Sequence, residues 1–435
     1  MQSRLCQSTA QNPAARGVPL TLSLTVHRGT EQIGGSCIEL EAEGERLILD
    51  AGRPLDAPRE ARDLLPLTLD RVRPATVLFS HPHMDHWGLV GELPDHWSLM
   101  TGHKSAELMR LTEELFGGVL DRSITCWNSR GGSFRVGPFT VTPFLTDHSA
   151  FDAYMLLIEC SGTRLLYTGD FRTHGRKAKL VEVTLKKLAG TVDVLLMEGT
   201  NLGTAKPVIT ERELEHRFAD VAGRTRGQVF VQWSAQNIDR TVTLYRAALR
   251  SGRELVIDLY AADVLNRVAQ DTNIPRPGRD FDKLRVLILP SGQRLFHRAG
   301  RSAEADRMAR QPYAISRRRL VGRPSIIMLR DSMFPDFERA GITFEPDDTY
   351  VFSNWKGYLD PNAPQSGWNR ATANGARTLH LHTSGHASAR ELERFAAQLN
   401  PRWLVPVHGI AWATPEITLP PVCRLADGET WNVPH

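Results

Sequence analysis

The 435-residue sequence predicts an α/β protein of more than one domain, in which a sheet-rich domain is split by a long insertion. Three observations predict it. Short apolar runs end repeatedly in Asp, His or Glu, as strands do when they deliver polar side chains to one edge of a sheet. The segment His81-Pro82-His83-Met84-Asp85-His86 packs three imidazoles and a carboxylate into six residues, directly after one such run. Motif-rich stretches then stop near Asn201 and resume only at Thr378, with alternating helical and strand-like patterns between them.

Taken in order, residues 1–18 are rich in Gln, Ser, Ala and Pro and read as a loose arm. Residues 20–26 alternate as a half-buried strand, and 37–41 and 47–52 flank Gly44 as a hairpin. Asp50 ends the second hairpin strand just ahead of Gly52 and reads as supporting structure rather than a ligand. Residues 75–79 form a buried strand, and Pro82 turns the chain at its end. That turn lets His81 and His83 point one way and Asp85 and His86 another, so one loop can serve two cations. Imidazole suits zinc, and carboxylate suits zinc, manganese or magnesium. A helix is expected over 105–115, with His96 and His103 as ordinary surface or packing residues.

Residues 139–144 read as a strand leading to Thr146-Asp147-His148, and 153–158 with 163–167 as a hairpin ending in Thr168-Gly169-Asp170. His174 has no assigned role. Residues 192–197 form a buried strand that delivers Glu198. Helices over 211–221 and 239–249 alternate with strands over 227–233, 254–259 and 325–329, the pattern of an inserted domain with a mainly parallel sheet. The chain returns with Leu379, Leu381 and Thr383 alternating as a strand, a Ser384-Gly385 turn presenting His386, and a helix over 389–399. A last strand, 403–409, ends with His408. The expected division is 1–204, an insertion over 205–372, and a return segment 373–435.

Composition narrows the class. Hydrophobic content of 41% and charged content of 23% are those of a soluble globular protein. No apolar run approaches the roughly 20 residues of a membrane helix, and a polar start containing Pro13 argues against a secretory leader. Five scattered cysteines without a Cys-x-x-Cys pair point to a reducing cytoplasm. A net charge of +4 mildly favours an anionic partner.

The spacing His-x-His-x-Asp-His, followed by His148, Asp170, Glu198, His386 and His408 in this order, resembles the β-CASP branch of the metallo-β-lactamase superfamily. That branch contains RNase J-like enzymes and the pre-mRNA cleavage endonuclease. The resemblance implies an α/β fold, an αββα sandwich with an inserted α/β domain. It implies two zinc ions, with manganese an alternative: His81, His83 and His148 on one, Asp85, His86 and His408 on the other, Asp170 bridging. Glu198, His386 and His408 correspond to the branch's motifs A, B and C, and Asp85, Asp170, Glu198 and His386 form the catalytic set. RNA-cleaving members carry histidine at the last motif, so His408 favours single-stranded RNA over DNA. Ile410 departs from the glutamate that many of them place after His-Gly.

Several side chains are expected to touch the substrate: Ser384 and His382 near the motif histidines, and Ser234, Asn237, Arg240, Ser353 and Lys356 in the insertion. Trp233 and Trp355 are candidates for stacking on bases as well as for the core. Arg294, Arg298, Arg301, Arg307, Arg310 and Arg317-Arg318-Arg319 form a basic stretch suited to phosphates. The expectation is a di-metal ribonuclease, monomer or homodimer, without a membrane partner. Its rivals are a DNA nuclease of the same branch, a small-molecule metallo-hydrolase, which leaves the long insertion unexplained, and a catalytically silent RNA-binding subunit, which would have lost ligands that are present here.

Overall fold

The computed structural model describes residues 21–434 except 118–119, 129–130, 205–207, 271, 321, 361 and 413–416. The arm over 1–18 and Cys6 lie outside the described residues.

Two sheets face each other. The first orders its seven strands Thr430–Asn432, Ser23–Arg28, Cys37–Ala42, Glu45–Leu49, Thr76–Phe79, Ser98–Gly102 and Ile124–Trp127. The second orders six: Trp403–Val407, Val194–Glu198, Thr163–Tyr167, Tyr154–Cys160, Phe139–Leu145 and Phe134–Val136. Leu24, Ile38 and Leu78 from the first meet Phe139, Leu156 and Leu196 from the second in one apolar layer. This is the in-facing half of each strand's alternation, buried because the sheets have no other way to hide it. The helix His103–Thr112 packs Ala106 and Met109 into the core that covers the first sheet's outer face. Helices Ala178–Leu188 and Ala389–Leu399 cover the second through Leu185, Leu392 and Phe395. The layers are therefore α, β, β, α.

A third sheet is entirely parallel. Its spatial order is Ala314–Ile315, Leu284–Leu287, Glu254–Ile257, Ser325–Met328, Val229–Gln232, Thr349–Phe352 and Arg377–His380. Buried on both faces, its strands read as continuous apolar runs such as Ile326-Ile327-Met328. Its last strand lies beyond residue 372, where the sequence suggests that the insertion ends: Arg377–His380 pairs with Thr349–Phe352. The alternation through Leu381 and Thr383 does not continue as strand: the Leu381 amide still donates to Phe352 O at 3.2 Å, but the partner strand ends at Phe352. Among the described residues, no helix is long and apolar enough to cross a membrane. Cys37, Cys126, Cys160 and Cys423 are free thiols.

Candidate metal centre

The two facing sheets deliver their polar strand ends to one edge. His81 follows the strand Thr76–Phe79, His148 follows Phe139–Leu145, and Asp170 follows Thr163–Tyr167. Val194–Glu198 and Trp403–Val407 run parallel, with Glu198 opposite Val407, so Glu198 and His408 emerge side by side. Asp85 and His86 come from the one-turn helix Met84–Trp87 that starts after the Pro82 turn. His408 has φ 50°, a left-handed conformation that few residues other than Gly adopt, held here by its amide donating to Gly29 O at 2.7 Å.

Donor atoms of these side chains converge. His81, His83, His148 and Asp170 form one group, and Asp85, His86, Asp170 and His408 a second, each with ligand atoms within 4.8 Å of one another. Asp170 belongs to both. Its Oδ2 lies 3.2 Å from His86 Nε2, 3.6 Å from His81 Nε2 and 3.9 Å from His148 Nε2, while Oδ1 lies 3.7 Å from His408 Nε2. His148 Nε2 and His83 Nδ1 are 3.1 Å apart, and His408 Nε2 and Asp85 Oδ2 are 3.2 Å apart. Two ligands bonded at about 2.1 Å in tetrahedral geometry sit roughly 3.4 Å from each other, so these spacings suit shared cations.

Four of the five clustered histidines have the opposite ring nitrogen held, while His83 turns its Nδ1 toward His148. His81 Nδ1 meets Ser80 Oγ at 3.0 Å, His86 Nδ1 meets Asp50 Oδ2 at 2.7 Å, His148 Nδ1 meets Gly385 O at 2.6 Å, and His408 Nδ1 meets Thr200 Oγ1 at 3.0 Å. Such partners fix the ring and its tautomer, leaving Nε2 to face the centre. Asp50 also accepts from Ser80 and from the Tyr167 hydroxyl, and is wholly occupied as a support.

The inward ends remain unsatisfied. His81 Nε2, His86 Nε2 and both Asp170 carboxylate oxygens are buried without a well-aligned hydrogen-bond partner among the described residues. Each such atom costs about 1–3 kcal/mol unless something binds it. The donor set of imidazole and carboxylate suits zinc or a similar divalent cation. The residues present fit a metal.

The charges agree with that reading. Burial and neighbouring imidazoles hold His81 and His148 well below the ordinary histidine value, and burial lowers His83 as well, so all three are neutral. Burial opposes ionisation of Asp85 and Asp170, but the surrounding histidines outweigh it and keep both carboxyls well below the usual range. On His86, Asp170, Asp50 and Asp85 overcome burial and raise the ring well above its ordinary value.

Glu198 and His386 stand beside this cluster. His386 Nδ1 is 2.9 Å from Glu198 Oε2, and the other Glu198 oxygen accepts from the Phe171 amide at 3.1 Å. Their atoms also come within metal-binding range of Asp170 and His408, but neither Glu198 nor His386 is among the buried atoms left without a partner. Burial lowers His386, yet Glu198 and Asp170 outweigh it and push the ring up to about 9.

The residues proposed for substrate contact divide. Arg240 is fully buried, pairs with Glu211 at 3.1 Å and donates to Ser353 O at 2.9 Å, so it cannot reach a phosphate. Ser353 is also buried and donates to Leu381 O at 2.6 Å, tying two strand ends together. Asn237 caps the helix Ile238–Arg250 by accepting from the Arg240 amide. Trp233 is core, its Nε1 donating to Thr241 at 3.0 Å. The assignments of Arg240, Ser353 and Asn237 are corrected, and Trp233 takes the core alternative: a polar run after a strand here caps the next helix and braces the sheet. Ser384 Oγ accepts from the His386 amide and from Asn201 Nδ2, shaping the loop that holds His386. His382 Nδ1 meets Ser353 O at 3.2 Å, and burial with Arg240 nearby lowers the ring to about 3. Ser234 and Lys356 are exposed, as are Trp355 (52%) and Tyr358 (68%), whose rings touch edge to face at 5.2 Å. Burial and the charge of Asp85 both raise the Tyr358 phenol. Within the basic stretch, Arg301 pairs with Asp263 and Arg317 donates to Asp336 O, and both serve structure.

Sequence reasoning missed Arg172. Fully buried, it pairs with Asp239 at 2.6 Å, lies 3.5 Å from Asp147 and 3.7 Å from Glu211, and donates to Ser384 O at 3.0 Å. His174 Nε2 bonds the same carbonyl, also at 3.0 Å. Arg172 directly follows the Gly-Asp-Phe strand end, but its acidic partners are distant in the chain, so no local spacing reveals it.

Comparisons with known proteins agree with this geometry. Residues 31–213 match the metallo-beta-lactamase superfamily, and residues 376–411 match the Zn-dependent metallo-hydrolase RNA specificity domain. The chain is 25% identical to ribonuclease J of Thermus thermophilus, covering 90% of this chain and 70% of that protein. It is 25% identical to ribonuclease J of Synechocystis, covering 88% of this chain but only 59% of the relative. A crystal structure of a protein of unknown function from Enterococcus faecalis superposes with a TM-score of 0.77 at 18% identity, over 95% of this chain and 100% of that one.

Proposed function

We propose that this chain, an RNase J-like protein built on the metallo-β-lactamase fold with a β-CASP insertion, is a metal-dependent ribonuclease that hydrolyses single-stranded RNA. The observation that carries the reading is the convergence of buried, unsatisfied donor atoms on Asp170, with the His386–Glu198 pair at their side. We assign His81, His83 and His148 to one cation, Asp85, His86 and His408 to the other, and Asp170 to both, with zinc the preferred ion and manganese the alternative. When bound, such ions supply a nucleophilic water near neutral pH and offset charge on a phosphoryl oxygen.

The chain's own groups do the rest. Once the proton that the carboxylates favour on His86 is displaced on metal binding, two carboxylates are the only charged ligands, so the loaded site would keep positive charge for a phosphodiester. His386, held up to about 9, is protonated at neutral pH and can donate to a phosphate oxygen or to the leaving 3′-oxygen. Glu198 orients that ring and stabilises its charge. Ser384 and Asn201 set the loop height. Trp355, Lys356 and Tyr358 offer stacking faces and a cation beside the cluster, a combination suited to unpaired bases. We divide the chain into a metal-binding domain, the inserted sheet domain and a return segment, acting in the cytoplasm as a monomer or homodimer.

The test uses end-labelled single-stranded RNA and matched DNA with zinc or manganese, comparing the protein with Asp85→Ala. RNA cleavage that disappears in the variant is the expected result. Cleavage of neither strand by metal-loaded protein would overturn the reading and favour a small-molecule hydrolase or a silent subunit.

A further inference from the structure

A second cavity, distinct in its lining from the metal cluster, lies at the carboxyl ends of the third sheet's central strands. From Glu254–Ile257 the chain proceeds to Leu284–Leu287 on one side, whereas from Ser325–Met328 it proceeds to Thr349–Phe352 on the other. These two adjacent strands are the point where connections diverge, which opens a crevice beyond their carboxyl ends. A cavity of about 560 Å³ occupies that crevice. It falls within the range of about 300–1,000 Å³ typical of small-molecule sites. None of the clustered histidines or acids lines it.

Its walls have a definite chemistry. Arg59 and Phe116 come from the first domain, and Tyr260, Arg298, Arg330 and Ser332 from the insertion. Asp258 is the carboxylate among the lining residues, and it is already committed: it caps the helix Leu259–Val268 and pairs with Arg330 at 2.6 Å. Arg59 donates to the Phe116 carbonyl at 3.3 Å, and Arg298 has no hydrogen bond or ion pair among the described residues. The lining thus carries a surplus of positive charge from Arg59 and Arg298. Phe116 and Tyr260 meet edge to face at 5.1 Å, and the Arg330 guanidinium lies 5.3 Å over the Tyr260 ring. Planar π-faces beside guanidinium groups that no carboxylate among the described residues neutralises, here Arg59 and Arg298, are what a base and its phosphate require together.

We propose that this cavity binds a phosphorylated nucleotide, with Arg298 and Arg59 on the phosphate and the Phe116–Tyr260 pair against the base. The site stands independently of the hydrolytic reading. The nucleotide is either free or part of an RNA chain, and the same chemistry recognises both.

The experiment is equilibrium dialysis of adenosine monophosphate, inorganic phosphate and a 5′-labelled 20-nucleotide RNA against metal-loaded protein. Asp85→Ala removes the metal-site contribution, Arg298→Glu reverses the free charge, and Ser332→Trp fills the cavity from an exposed position. Arg298 and Ser332 are both exposed, so melting temperatures close to that of the parent are expected. Adenosine monophosphate binding that persists in Asp85→Ala and weakens at least tenfold in the other two supports a free nucleotide. RNA affinity that falls in both cavity variants without mononucleotide binding supports a nucleotide held within the chain. The proposal is overturned by unchanged affinities in both variants, by no binding of either nucleotide probe, by mononucleotide binding that vanishes with Asp85→Ala, or by inorganic phosphate binding as tightly as the nucleotide. Failure to cleave RNA would leave each of these outcomes readable.

Discussion

Two buried polar clusters sit close together in this molecule, and they are built on opposite rules. At the junction of the domains, Arg172 and Arg240 are fully buried, and their charges are met by Asp239, Asp147 and Glu211 and by the carbonyls of Ser384 and Ser353. In the cluster around Asp170, the outward ring nitrogens are anchored, but inward-facing His81 and His86 nitrogens and both Asp170 oxygens have no aligned partner. A satisfied buried network braces a fold. One satisfied on its rim and open at its centre is a receptor, because only an added ion removes the cost of the open atoms.

The sharpest test of that difference is to delete one member of each. Asp170→Ala is expected to lower RNA hydrolysis at least 10³-fold and to release bound metal, with a melting temperature close to the parent's. Metal analysis and calorimetry check it, and a metal-replete, active variant would break the comparison. Arg240→Ala should do the reverse. Leaving Glu211 buried with only the more distant Arg172 and the Thr243 hydroxyl as partners costs up to about 3–5 kcal/mol of stability, read by urea denaturation, while the folded fraction still binds metal.

His386→Ala sits between the two cases. It is expected to keep the metal content and lose about 10²–10⁴-fold in kcat, the usual worth of a positioned proton donor. Loss of metal from this variant would move His386 into the ligand set.

Acid should dismantle the junction. Burial works to raise Glu211 and Glu391, but Arg240 and Arg172 on the first, and His174 with the Ser388 amide on the second, hold both at about 2. An unfolded glutamate titrates near ~4.3. The stability these groups add is therefore complete above that value and is lost as pH falls from about 4.5 towards 2. Urea midpoints measured between pH 6 and pH 2.5 should fall less steeply in Glu211→Gln than in the parent.

The smallest effect is expected outside both clusters. Trp355→Ala should raise KM for RNA roughly tenfold, consistent with about 1–3 kcal/mol for one stacked base, without changing stability. An unchanged KM would leave the exposed Trp355–Tyr358 pair without a role in substrate binding.

Much of this architecture was legible because it is local. Apolar runs such as 75–79 and 194–197 identify strands by themselves, and a histidine or carboxylate at the end of each announces a shared edge. The loop from His81 to His86 carries four of the clustered side chains in one short segment. What was not legible depends on partners far apart in the chain. Arg240 follows a polar run at a strand end and looks like a phosphate contact, yet Glu211 and Ser353 bury it. The strands Leu284–Leu287 and Thr349–Phe352 are not among those the sequence predicts, although each is as long as Ser325–Met328.

The sequence alone determined the order of the elements, the identity of the donor groups and the presence of an insertion, since periodicity and side-chain chemistry are properties of neighbouring residues. Tertiary structure decided which charges are spent on bracing and which remain available for a ligand. That distinction depends on hydrogen bonds closed across long stretches of chain, such as Arg172 to Asp239, which join the first segment to the insertion.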